Sequence, residues 1–159
     1  MAAELALVWV ASEQNEVPPP GRARGHKTGN GHPTPPTILV VEDEVLIRLA
    51  VADYLRDCGY RVVEATSGEE AQQILRTGEP VEILFSDVDL GEGINGFELC
   101  RWTREHFPTV RILLTSGVAR MTQEAEQLCD GPFLSKPYSH QGLSDQIKRL
   151  IGLFGRRAG

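Results

Sequence analysis

An α/β fold built on a parallel sheet is the architecture this sequence predicts, and three observations predict it. Five short apolar runs rich in β-branched residues alternate with helix-periodic segments between Thr37 and Phe154. The central runs are apolar at consecutive positions, the pattern of strands covered on both faces, rather than polar at every second residue. Each gap between runs is long enough for a helical crossover, which parallel neighbours require.

The elements follow in order. "TILVVED" is the first strand, and "EVLIRLAVADYLRDCG" is a helix with Ile47, Val51, Tyr54, Leu55 and Cys58 on one face and Gly59 as its stop. "YRVVEA" is the second strand. The helix "SGEEAQQILRTG" carries an S-x-x-E capping box at Ser67 and Glu70. "VEILFSD" is the third strand, and the helix "GFELCRWTREHF" stops before Pro108. "RILLTSG" is the fourth strand, "TQEAEQLC" a short helix poor in apolar residues, and "FLSK" a short fifth strand. "SHQGLSDQIKRLIGLF" closes the domain with Leu143, Ile147, Leu150, Ile151 and Phe154 facing inward.

The organised part is expected to span residues 37–155, with a tail at 156–159. Residues 1–36 form an N-terminal extension, and ten of the nineteen residues from Pro18 to Pro36 are Pro or Gly. Such a stretch is expected to be a linker that holds neither a helix nor a ladder. Before it, Leu5, Val8, Trp9 and Ser12 share a helical face, read as a frayed start in preference to a docking helix.

Composition narrows the function. The chain of 159 residues is 41% apolar and 24% charged, with a net charge of −6. Residues 1–36 are neutral, three acids against three bases, so the remaining 123 residues carry all of it. An acidic domain does not suit nucleic acid or an anionic membrane. "LALVWVA" is too short to span a bilayer and lacks a basic flank, so no signal peptide is expected. Cys58, Cys100 and Cys129 are scattered and odd in number, which fits reduced thiols in a cytoplasm.

In an open parallel sheet, ligands bind beyond the carboxyl ends of the strands. There the first strand ends in Glu42-Asp43-Glu44, the third in Asp87 with Asp89 following, the fourth in Thr115-Ser116, and the fifth in Lys136-Pro137. Each residue alone has an ordinary explanation as a cap, a turn or a solvated charge. Together they do not, because converging carboxylates repel one another without a cation. Oxygen ligands with no His or Cys select a hard ion, Mg²⁺ first. A lysine and a hydroxyl beside that ion are what a phosphoryl group needs.

In this order and spacing, "ILVVEDE", "ILFSDVDL", "NGFEL", "LLTSG" and "FLSKPY" resemble the receiver domain of two-component response regulators, the CheY-like receivers. The resemblance covers roughly residues 37–154. It implies a doubly wound (βα)5, flavodoxin-like three-layer sandwich with strand order 2-1-3-4-5. It makes Asp87 the phospho-acceptor, fed by a histidine kinase or a histidine phosphotransfer protein. Asp43 would ligate Mg²⁺ directly, Glu42 through water, and Asp89 through its backbone carbonyl, with Asp87 completing the set. Thr115 matches the switch hydroxyl, Lys136 the phosphate-pairing lysine with a cis bond to Pro137, and Phe133 the switch aromatic. The protein would be a phospho-acceptor rather than a turnover enzyme.

Four positions depart from the common pattern. The acidic pair starts with Glu; Gly91 stands where Pro is usual, with one extra residue before Asn95-Gly96; Phe133 lacks a hydroxyl; and Gly117 brings no side chain over the site. The loop after Asp87 is therefore expected to be looser. With no output domain expected after Gly159, the switch would act by changing protein contacts. The face expected to do so joins the fourth helix, the fifth strand and the start of the fifth helix, around Arg120, Met121, Phe133 and Tyr138, and binds a separate target or a second copy. Two alternatives carry different chemistry: a haloacid-dehalogenase-type phosphatase using the DxD at Asp87 and Asp89, and a pseudo-receiver that binds partners without phosphorylation. The first expects its DxD on the first strand and more acids after the lysine, whereas here only Asp145 follows Lys136.

Overall fold

In a computed structural model, residues 26–27, 33–117 and 133–157 are described, with side-chain surroundings given for residues 34–117 and 133–152. Five parallel strands form the sheet: β1 (Thr37–Val41), β2 (Arg61–Ala65), β3 (Ile83–Asp87), β4 (Arg111–Ser116) and β5 (Leu134–Ser135). Their spatial order is β2-β1-β3-β4-β5, the order the resemblance implies. Four helices are described: α1 (Val45–Asp57), α2 (Gly68–Arg76), α3 (Gly96–His106) and the C-terminal α4 (His140–Arg157). The helix expected at "TQEAEQLC", with Arg120, Met121 and Cys129, lies outside the described residues.

Alternation along the strands divides the core into two layers. Leu39, Val41, Leu84, Ile112 and Leu114 pack with Ala71 and Leu75 of α2 and Leu99 and Cys100 of α3. Ile38, Val40, Ile83, Phe85 and Leu113 pack on the other face with Val51 and Leu55 of α1 and Leu143, Ile147 and Leu150 of α4. Each strand thus needs apolar side chains in both directions, which is why its sequence shows no polar alternation. Full burial of each such Leu or Ile contributes about 1.5–3 kcal/mol.

Four expectations need correction. β2 is half-buried through Val62, Val63 and Glu64, because it lies at the sheet edge with a single neighbour. The capping box at Ser67 is half-formed. Ser67 Oγ accepts the Glu70 N–H at 3.1 Å, but the Glu70 carboxylate takes the Thr66 N–H and hydroxyl at 2.6 and 2.7 Å instead of closing on Ser67. Finally, His26–Lys27 pairs antiparallel with Pro33–Thr34 inside the segment expected to hold no ladder. α4 also runs on to Arg157, past the boundary expected at 155.

The chain passes from β1 outward to β2 and then back across β1 to β3. The winding reverses between β1 and β3, and at that point the helices leave the strand exits in opposite directions and open a crevice.

Candidate functional site

Asp87 is the last residue of β3 and pairs in register with Thr115 of β4. It is 6% exposed. Behind it α3 begins close to the strand: the Gly96 N–H donates to the Val88 carbonyl at 2.9 Å. A Cβ at residue 96 would run into the Asp87 carbonyl and lie 2.7 Å from Val88 Cα, so only glycine fits. α3 is nonetheless well started, because Asn95 and Glu98 close a full capping box at 2.9 Å each way. The sequence holds this N-x-x-E signal, and the reading above used Asn95 only within the receiver motif.

Lys136 arrives from β5. The Lys136 N–H donates to the Ser116 carbonyl at 2.9 Å, and the Lys136–Pro137 peptide is cis, as the resemblance implies. The ammonium reaches back across the sheet to Asp87 Oδ2 at 2.5 Å and Glu42 Oε2 at 3.2 Å. It bridges two carboxylates, a second role beyond the phosphate pairing expected of it.

Glu42 and Asp43 follow β1. Carboxylate oxygens of Glu42, Asp43 and Asp87 all lie within 4.8 Å of one another. The turn carrying them is held by Arg48, a buried residue that the sequence reading left among the ordinary residues of α1. Its Nη1 donates to the Glu42 carbonyl at 2.9 Å, and its Nε pairs with Glu64 Oε2 at 3.3 Å. Glu64 also takes Arg56 Nη2 at 2.8 Å, so one acid from β2 fixes two arginines of α1. No spacing signal announces this pair, because Arg48 and Glu64 meet only when β2 lies beside β1.

The charges explain how the cluster survives. Burial, reinforced by Asp87, pushes the Glu42 carboxyl up to about 8, although Lys136 and the Glu44 N–H pull the other way. The 3.2 Å contact with Lys136 favours the ionised carboxyl, but it is outweighed by the cost of charging Glu42 at 4% exposure beside Asp87. Burial opposes the Lys136 charge too, yet its hydrogen bond to Asp87 and the charges of Glu42 and Asp87 hold its titration above the usual lysine range.

Thr115 is 1% exposed, and its Oγ1 has no hydrogen-bond partner among the described residues. An unpartnered buried hydroxyl at the end of β4 is costly unless a ligand oxygen meets it. Asp89 is exposed, and its N–H donates to Asp87 Oδ1 at 3.0 Å. Phe133 is half-buried against the α2–α3 side of the core. Tyr138 packs on the other side, edge-on to Phe85 with ring centroids 5.9 Å apart. Its hydroxyl titrates above the usual tyrosine range, through burial first and then through Glu42 and Asp87.

The loop after Asp87, expected to be loose, is tied down. Leu90 is 3% exposed, and the Ile94 N–H donates to Glu69 Oε1 at 2.8 Å. Gly91 and Gly93 take positive φ of 73° and 91°, the conformations that carry the extra residue.

Comparison with known proteins gives concordant results. A family model described as the response regulator receiver domain matches residues 38–148. The sensor kinase CckA of Brucella abortus is 35% identical over 118 residues, 72% of this chain and 12% of that protein. The crystal structure of a response regulator receiver protein from Sinorhizobium medicae superposes with a TM-score of 0.69 at 26% identity, covering 74% of this chain and 95% of the other. The response regulator TrrA of Thermotoga maritima, solved in complex with Mg²⁺-BeF, superposes with a TM-score of 0.66 at 26% identity, covering 72% and 98%. The chain spans between 12% and about half of the length of several curated relatives.

Proposed function

The chain belongs to the response regulator receiver domain family, and from that premise we propose that it accepts a phosphoryl group on Asp87 from a phosphohistidine donor. The observation that carries the reading is the convergence of Lys136, Glu42 and Asp87 at the β1–β3 switch point, with the Thr115 hydroxyl, unpartnered among the described residues, beside them. One Asp87 oxygen attacks phosphorus, the bond from phosphorus to the imidazole nitrogen breaks, and the donor ring, already carrying a proton on its other nitrogen, leaves as neutral imidazole. Lys136 then pairs with a phosphoryl oxygen in place of a carboxylate, and Thr115 donates to another.

Mg²⁺ fits the residues present. The donors are all oxygens, with no His or Cys among them, and their spacing suits a single small cation. Asp43 and Asp87 would ligate it directly, Glu42 through water and Asp89 through its carbonyl. When bound, the ion supplies the positive charge that lets the carboxylates ionise together and a position for a phosphoryl oxygen.

The donor would be a histidine kinase or a phosphotransfer protein. Val45, Leu46 and Leu49, exposed by 55%, 70% and 43%, offer an apolar patch on α1 immediately after the acidic pair, where such a donor would have to sit. The receiving face for a downstream target or second copy would include Phe133 and Tyr138; Arg120 and Met121 lie outside the described residues. The phosphatase alternative loses its support, since the acidic pair directly follows β1 while the DxD begins at the end of β3, and the receiver family model matches residues 38–148.

The test is direct. Incubation with acetyl phosphate and Mg²⁺ should add one phosphoryl group to the intact mass. The label should be absent in chelator and in Asp87→Asn. Labelling of Asp87→Asn to the wild-type extent would refute the assignment.

A further inference from the structure

We propose that Glu69, at the start of α2, is a positioning residue for the metal site: a latch that holds the Val88–Asn95 loop over the cluster. The inference rests on the receiver reading above and names a residue outside its motifs.

The geometry is specific. Glu69 Oε1 accepts the Ile94 N–H at 2.8 Å. The same carboxylate lies where a side chain at residue 93 would begin, its Cδ 2.9 Å from that Cβ position, so any side chain there would displace the Glu69 carboxylate, and the φ of 91° would strain it as well. One residue earlier on α2, a Cβ at Gly68 would strike Ile94 Cγ1 and lie 2.8 Å from its Cδ1. The loop therefore docks on a contact surface made of two consecutive α2 residues, one apolar contact and one hydrogen bond. The Ile94 N–H also holds the Glu69 carboxyl below the usual carboxylate range, as expected for an acceptor favoured in its charged form.

What the latch holds is the near end of the site. Between Asp87 and Ile94 the loop carries the Asp89 N–H, 3.0 Å from Asp87 Oδ1. It also carries Gly91, whose Cβ position is 3.3 Å from Asp43 Oδ2. Two glycines at positive φ within three residues give this segment wide backbone freedom. Without Glu69, Ile94 keeps its apolar contact but the loop loses its polar anchor, and the backbone around Asp89 and Gly91 samples more positions. Groups that orient metal ligands in this way typically carry 10–100-fold of metal affinity.

A simpler role competes: an acid in the first turn of α2 that only favours the helix dipole. Gln separates the two roles, because it keeps a carbonyl acceptor for the Ile94 N–H and loses the charge. The experiment is calorimetric titration of MgCl₂ into the full chain as wild type, Glu69→Gln, Glu69→Ala and Gly93→Ala, with thermal melting in chelator alongside. The latch predicts Mg²⁺ binding weakened about tenfold in Glu69→Ala and in Gly93→Ala, and within about twofold of wild type in Glu69→Gln. It is overturned if Glu69→Ala binds Mg²⁺ as tightly as wild type. It is equally overturned if Glu69→Gln is as weak as Glu69→Ala, which assigns the effect to charge. Absence of Mg²⁺ binding in wild type defeats the receiver reading itself and the latch with it, an outcome distinct from either.

Discussion

Glu42 carries an energetic conflict that the rest of the site resolves. Its carboxyl titrates near 8 because it is buried beside Asp87. A raised carboxyl favours the fold in its protonated form, so that contribution is complete below the ordinary value of 4.5 and is lost as pH rises through about 8. Without Mg²⁺, stability should therefore fall between these limits. Glu42→Gln should flatten the decline and be the more stable protein at pH 8. Each pKa unit is worth about 1.4 kcal/mol, and Lys136 loses a partner in the variant, so the net gain should be roughly 2 kcal/mol. Urea unfolding in chelator at pH 5 and pH 8 measures it, and a variant less stable than wild type at pH 8 would show that Lys136 holds Glu42 ionised. Asp87, Asp43, Thr115 and Lys136 were legible as a set from their positions at strand exits. Arg48 and Glu69 were not, since each acts on a residue brought to it by the packing of another element.

The helices differ in how they are begun, even where both start beside the chemistry. α3 starts with a closed capping box one residue before Gly96, where it must approach the Asp87 carbonyl. α1 has no side-chain cap, and the Glu44 N–H before it is taken by Glu42 Oε1 at 3.1 Å. Asn95→Ala should cost about 1 kcal/mol by denaturant unfolding. Because α3 begins at the back of Asp87, the same variant should also slow acetyl-phosphate labelling. Unchanged stability would mean that the Gly96–Val88 hydrogen bond alone secures the helix start. The strands were readable because burial on both faces leaves an unbroken apolar run. The edge position of β2 was marked only by Arg61 and Glu64, which flank its apolar pair.

At the scale of the whole molecule, the site lies where both halves of the sheet meet, so a charge change there reaches both core layers. Thr115 belongs to β4, with Phe133 against one layer and Tyr138 against the other. Drawing the Thr115 hydroxyl toward a phosphoryl oxygen would relieve its unpartnered state and open room behind it. Thr115→Ala should still take label at Asp87 but lose most of the phosphorylation-dependent change in partner or self-association. Such coupling is typically 1–3 kcal/mol, roughly 5- to 150-fold in affinity. Sedimentation with and without acetyl phosphate reads the self-association, and wild-type coupling in Thr115→Ala would move the switch to another element.

The sequence alone determined the alternating β/α order, the apolar strands and the carboxylates, hydroxyl and lysine at their exits. These depend on periodicity and on position along the chain, which are local properties. The tertiary structure decided which charges share one Lys136, which loop rests on Glu69, which strand stands at the edge, and which hydroxyl is left unpartnered among the described residues. Those are set by distances between residues far apart in sequence, and no local pattern encodes a distance of 3 Å between residues 42 and 136 or between 69 and 94.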